Sequence, residues 1–163
     1  MIVRPAVADD AVQIAYIYNH YIATSHATFE LDPINGDEML RRMELDGHPK
    51  FPFFVYEADG VVCGYAFGRK FGEREAYRQT IEISVYIRPG KDGTGIGSEL
   101  YRRLIDEIRS LDHHAVIAGI SLPNEPSVHL HEKFGFEKVA HFREVGRKFD
   151  RWIDVGYWQL VLE

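Results

Sequence analysis

Residues 80–87 alternate strictly, with Ile81, Ile83, Val85 and Ile87 on one face and Glu82, Ser84 and Tyr86 on the other, the period of a half-buried strand. Residues 96–111 keep a different period. Ile96, Leu100, Leu104, Ile105, Ile108 and Leu111 recur every three or four positions, which predicts a helix with one buried stripe. Upstream, the pattern predicts a strand over 2–6, then a helix capped by Asp9 or Asp10 with Val12, Ile14, Ala15, Tyr18, Tyr21 and Ile22 on its apolar side. A second short helix over 37–46 carries Met39, Leu40, Met43 and Leu45 and stops before a break at Pro49 and Pro52. Strands over 53–58 and 61–68 flank Asp59-Gly60, a strong hairpin signal. Residues 115–120 are an apolar run of strand length, 126–134 form a helix that Gly135 ends, and 136–162 alternate as two long strands broken near Asp150. The resulting order, βααββ then βαβα then ββ, predicts a mixed α/β fold, and without repeats or linkers residues 1–163 read as a single domain.

Composition narrows the partners. A net charge of −6 with 27% charged residues argues against general attraction to nucleic acid or an anionic membrane, so an anionic ligand must be held locally. The lone cysteine, Cys63, excludes an internal disulfide and fits a reducing compartment, the cytoplasm being the simplest. The N-terminus lacks an apolar targeting core, and no stretch has the roughly 20 apolar residues of a membrane span. No membrane association is expected.

The densest chemical signal is the loop after residue 87, Arg88-Pro-Gly-Lys-Asp-Gly-Thr-Gly-Ile-Gly97. Glycines at 93, 95 and 97 allow positive φ and close approach, so that backbone N–H groups converge at a helix N-terminus and cradle an anion. It is no Walker loop, because no lysine follows the glycines. A dinucleotide fingerprint starting at Gly93 and Gly95 fails at Ser98, and a Rossmann-like nucleotide module is therefore the runner-up reading.

Three segments in order, Val85-Tyr86-Ile87, Gly95-Ile96-Gly97 and Asn124-Glu-Pro-Ser127-Val-His-Leu-His131-Glu-Lys-Phe-Gly135-Phe, resemble the acetyl-CoA-binding motifs of GNAT N-acetyltransferases. Thr80-Ile-Glu82-Ile-Ser-Val-Tyr86, Ala76-Tyr77-Arg78 and the tail from Lys148 to Gln159 resemble more narrowly the phosphinothricin and methionine sulfoximine acetyltransferase branch. The resemblance implies a central, mostly antiparallel sheet flanked by helices with two splayed strands, and direct acetyl transfer from acetyl-CoA to the primary amine of a small amino-acid-like acceptor. It implies that N–H groups of Gly93, Thr94, Gly95, Ile96, Gly97 and Ser98 hold the pyrophosphate. The pantetheine arm would pair along Val85, Tyr86 and Ile87, with Asn124 on its amide and Ser127 nearby. Asp92 stands where the family has Gln or Arg, and Lys91 or Arg88 would offset its charge. A homodimer is implied as well. A non-catalytic acyl-CoA-binding module is the competing reading, which would need none of the catalytic groups below.

An alkylamine is mostly protonated near neutral pH, so transfer to it needs a proton acceptor. Alternation alone makes Glu82 a surface glutamate; its place in the branch's motif makes it the base. His131 stands where many GNAT enzymes have an acidic tyrosine, and it reads as an acid, a partner to Glu82 or a structural residue. His129 and His131 face different sides of a helix, and no metal is expected. Cys63, lacking a neighbouring histidine motif, reads as a small buried hydrophobe rather than an acyl carrier. On the acceptor side the resemblance points to Phe29, Arg74, Tyr77 and Arg78, with arginine holding an anionic end. Phe71-Gly72 replaces the branch's Trp followed by Lys or Arg.

Overall fold

The computed structural model describes residues 1–46 and 51–163. The expected break at Pro49 lies outside the described residues. The chain forms strands β1 (Ile2–Pro5), β2 (Phe53–Ala58), β3 (Val61–Lys70), β4 (Thr80–Ile87), β5 (Ala115–Leu122), β6 (Glu137–Lys148) and β7 (Arg151–Val161), with helices α1 (Ala11–Thr24) and α2 (Gly36–Asp46) between β1 and β2, α3 (Ile96–Ser110) after β4 and α4 (Glu125–Lys133) after β5. The strands form one sheet in the order β1-β2-β3-β4-β5-β7-β6. Every neighbouring pair is antiparallel except β4 and β5.

The two faces of this sheet carry separate cores. Ile81 and Ile83 of β4 pack with Leu100, Leu104 and Ile108 of α3 on one side, as the two periodicities predict. On the other, Ile14 and Ile17 of α1 and Met39 and Met43 of α2 cover Val55, Val62 and Tyr65. Residues facing α3 and residues facing α1 alternate along β3 until a bulge opposite Tyr56 and Glu57 interrupts the register. There Cys63 joins the α3-side core. At Gly64 a Cβ would stand 3.1–3.2 Å from Ile87, Ile96 and Leu100, so the missing side chain lets α3 press against the sheet.

The start of α1 departs from expectation. A 3-10 turn over Ala8–Asp10 runs straight into the helix, and Asp10 at the N-cap position has helical φ and ψ and makes no side-chain cap. Its carboxylate instead accepts the Val7 N–H and both terminal nitrogens of Arg4, each at 2.8 Å. Val12, placed on the apolar side by pattern, is 70% exposed, while Ile17 is fully buried. The helix is thus rotated so that 14, 15 and 17 rather than 12 meet the sheet. Asp59 and Gly60 both have positive φ, the geometry of a primed hairpin turn. Phe149 and Asp150 repeat it between β6 and β7.

Candidate active site

β4 and β5 pair only through Thr80–Ala115, Ile81–Val116 and Glu82–Ile117. Beyond Glu82 they separate, because β4 stays in register with β3 out to Ile87 and β5 with β7 out to Leu122. The wedge between them holds a cavity of about 580 Å³ lined by residues 83–87 of β4, by Ile120 and Ser121 of β5, and by Asn124, Ser127 and His131. Strand edges facing an open wedge offer backbone donors and acceptors to an extended ligand. The Ile87 carbonyl is already engaged, since the Tyr21 hydroxyl donates to it at 2.8 Å.

At the wide end lies the glycine loop. Gly93 and Gly95 have φ of 72° and 87°, and Gly95 is the N-cap of α3. The first N–H groups of α3 therefore point out of the helix without intrahelical partners, beside the positive end of its dipole. Gly97 behaves differently. It lacks a positive φ, and a Cβ there would make only ordinary contact with Leu130 at 3.4 Å. Of the two cations expected to balance Asp92, Lys91 adjoins it in the loop and Arg88 is placed differently. Arg88 faces away, donating to the Val62 carbonyl at 2.6 Å and to Gln13 at 3.1 Å while lying over Tyr16. Lys133 of α4 is the ammonium that reaches the first turn of α3, with Nζ 3.0 Å from Ser98 Oγ.

Asn124 caps α4, its Oδ1 accepting the Ser127 N–H at 3.3 Å, while its amide lines the wedge. His131 is 3% exposed. Its Nδ1 is 2.7 Å from the Ser127 carbonyl oxygen, which can only accept, so Nδ1 carries the hydrogen and Nε2 accepts from the Tyr101 hydroxyl at 2.8 Å. Burial holds this imidazole below its ordinary pKa, against the Ser127 carbonyl that favours the charged form. Burial also pushes Tyr101 up. Both rings are consequently neutral. Tyr101, fully buried on the α3 stripe and lining the wedge, was missed by the pattern; a tyrosine beside Leu100 that needs a partner for its hydroxyl was the available signal.

A second cavity of about 380 Å³ adjoins the first at Ala27, Ser84, Tyr86 and Gly119, which line both. Its walls include the stacked rings of Phe53, Tyr65 and Phe67, with Phe29 at one side and four charged residues. Glu82 is one of them, and its Oε1 accepts from Arg69 Nη2 at 2.5 Å across the β3–β4 ladder. Glu30 accepts from Tyr18 and from both terminal nitrogens of Arg42. The Arg42 guanidinium leads in holding Glu30 below the usual carboxylate range; burial, then Glu30, pushes Tyr18 up to about 12.

Glu82 and His131 thus line different cavities, Glu82 the second and His131 the wedge. Phe29 lines the second cavity, but Arg74, Tyr77 and Arg78 line neither. They belong to an exposed segment around a 3-10 turn (Glu75–Tyr77), where Tyr77 meets Phe71 edge-on and Arg78 Nε is 4.0 Å from Glu75. Arg42, Arg69 and Glu30, which do line it, carry no motif in the sequence. Cys63 is buried in the α3-side core and lines neither cavity.

Residues 3–156 match one family model, an acetyltransferase (GNAT) domain. The chain belongs to the GNAT acetyltransferase family. It is 40% identical to a phosphinothricin N-acetyltransferase of Streptomyces coelicolor, over 98% of this chain and 95% of the relative. It is 37% identical to an L-methionine sulfoximine/L-methionine sulfone acetyltransferase of Salmonella typhimurium, over 100% and 95%. Among solved structures, a Salmonella typhimurium protein determined with its cofactor acetyl-CoA superposes with a TM-score of 0.96 at 36% identity, over 99% of this acetyltransferase and 94% of that chain.

Proposed function

We propose that this acetyltransferase moves the acetyl group of acetyl-CoA to the α-amine of a small amino acid of the phosphinothricin or methionine sulfoximine type. One observation carries the reading: the wedge opens one residue past Glu82, where it joins a second cavity holding the Glu82 carboxylate. A donor lying along the wedge and an acceptor in the second cavity would meet beside Ser84, Tyr86 and Gly119. The residues fit the donor. N–H groups at Gly95 to Ser98 and the Lys133 ammonium suit a pyrophosphate, Val85 and the rest of the open β4 edge suit an amide-bearing arm, and Asn124 and Ser127 line its far wall.

In the chemistry, acetyl-CoA supplies an activated acyl group. The amine of the acceptor forms the new C–N bond as the C–S bond breaks, and CoA leaves as its thiolate, which takes a proton from solvent. Glu82 takes the proton the amine must lose, directly or through a water. His131, enclosed and neutral with both nitrogens engaged, acts as a positioning residue: with Tyr101 it ties α4 to α3 and so sets Asn124 and Ser127 against the wedge.

The test is thiol release from acetyl-CoA with phosphinothricin or methionine sulfoximine as acceptor, beside thermal melting. Acetyl-CoA at a hundredfold excess over its Kd stabilises the fold by ~2.7 kcal/mol, whereas NADH does not. Stabilisation without thiol release for any amine would instead mark a binding module. A cytoplasmic, single-domain homodimer completes this reading. The dimer is supported by the exposed Phe142, Val145, Phe149 and Trp152 on the terminal hairpin and by the outer edge of β6, which has no strand beyond it among the described residues; sedimentation checks the mass.

A further inference from the structure

Lys148, the last residue of β6, is a buried cation that the chemistry above does not use. Its ammonium is held by carbonyls. Nζ donates to Ser25 at 2.7 Å, to Thr28 at 2.9 Å and to Tyr21 at 3.5 Å, so that three N–H donors meet three backbone acceptors. Ser25 is the C-cap of α1, the end of a helix where the dipole favours a positive charge. Two residues back on the same face of β6 lies Gly146. A Cβ there would stand 2.4 Å from two ring atoms of Phe29, so the ring rests directly on the strand backbone. Both positions of β6 therefore act on one short segment, residues 25–29.

That segment is the wall where the two cavities meet. Ser25, His26 and Ala27 line the wedge, while Ala27, Thr28 and Phe29 line the second cavity. It connects α1 to α2 outside any helix or strand, so side-chain contacts rather than a ladder of backbone bonds fix its path. Ser121 Oγ donates to the His26 carbonyl at 2.5 Å, and the Tyr18 hydroxyl bonds Thr28 Oγ1 at 2.8 Å. We propose that the end of β6 is the clamp that sets acceptor binding: Lys148, with Gly146, holds residues 25–29 against the junction of the two cavities. The inference rests on reading the second cavity as the acceptor site. Lys148 lines neither cavity and acts as a positioning residue. Burying its ammonium is tolerable only because the carbonyls accept from it, and removing it leaves those carbonyls without their donor. Acetyl-CoA depends less on the clamp, since the groups that fit its pyrophosphate belong to α3 and α4.

The experiment compares the wild type, Lys148→Met, Lys148→Arg and Gly146→Ala with L-methionine sulfoximine as acceptor. In Lys148→Met the kcat/KM for the amino acid falls about 10- to 100-fold, the scale of an ångström of misplacement, and the fall is carried chiefly by KM. The KM for acetyl-CoA stays close to wild type, and Lys148→Arg recovers part of the loss. Gly146→Ala pushes Phe29 aside without touching the ammonium, and its amino-acid KM rises by a smaller factor; it also carries the test should Lys148→Met not fold. Hydrogen exchange reads the clamp without turnover: residues 25–30 exchange faster in Lys148→Met while α3 stays protected. A wild type that releases no thiol counts against the transferase reading alone, because calorimetry of L-methionine sulfoximine with CoA present still reads the weaker binding of the variants. Faster exchange over 25–30 with a wild-type amino-acid KM overturns the inference. So does a fall in kcat with both KM values unchanged, the mark of lost folded enzyme only. An amino-acid KM unchanged in Gly146→Ala overturns it as well.

Discussion

The two cavities share four residues and are built from different materials. The wedge runs between two strand edges, with Asn124 and the Tyr101–His131 pair along one wall; of the glycine loop only Asp92 lines it, and the α3 N-terminus with left-handed Gly95 lies beyond that lining. The second cavity has aromatic rings from β2 and β3 and charged groups from α2, β3, β4 and residues 27–30 in its walls. Backbone dipoles bind an anion without needing net positive charge, which suits a chain of net charge −6. Side chains can be exchanged one at a time without disturbing the sheet. The loop beside the first cavity therefore tolerates little variation, whereas the walls of the second can vary residue by residue.

Experiments that break this contrast begin at the junction. Glu82→Gln keeps size and hydrogen bonding but removes the basic oxygen, and kcat falls about 10²- to 10⁴-fold while the KM for acetyl-CoA stays near wild type. The deficit narrows at high pH, where more of the acceptor arrives as free amine. Steady-state kinetics across pH read both effects; a kcat that survives at neutral pH removes Glu82 from the base role.

On the backbone side, Gly95→Ala forces an L-residue into φ near 87°, at a cost of roughly 1–2 kcal/mol. The KM for acetyl-CoA rises with it. Gly97→Ala is the control, because its φ is ordinary and the added Cβ finds room; its folding stability is unchanged or slightly raised. Urea unfolding of the two variants separates them, and equal destabilisation would show that the loop needs small residues rather than a left-handed one.

The smallest effect is electrostatic. His131 has a folded pKa held below its ordinary value of 6.5 by burial, so the unfolded chain binds its proton more readily. The resulting stability is complete above about pH 6.5 and is lost as pH falls toward the lower folded value. His26, also held low mainly by burial, contributes with the same sign. In His131→Gln the dependence of unfolding free energy on pH between 7 and 5 is shallower than in the wild type; an unchanged slope would mean that the histidine titrates freely in the fold.

Much of this was readable in one dimension. The β4 alternation placed Ile81 and Ile83 toward α3 and Glu82, Ser84 and Tyr86 toward the second cavity, because a strand's period of two leaves no other arrangement. The α3 stripe, the Asp59-Gly60 turn and the glycine loop were equally legible, each being encoded within about fifteen neighbouring residues. Asp10 was misread for a reason of the same kind in reverse: its cap depended on local sequence, but Arg4, held beside it by the β1–β2 pairing, claimed the carboxylate.

What the chain's order determined by itself was the set of elements, their faces and the cofactor-type loop, since these follow from periodicity and short-range steric rules. Only the tertiary structure decided where β4 and β5 part, that Lys133 rather than Arg88 approaches the loop, and that Arg69 rather than Arg74 or Arg78 stands beside Glu82. Each depends on residues from separate elements being brought within a few ångströms by packing of the sheet against α1 and α3, and such distances leave no periodic trace in the sequence.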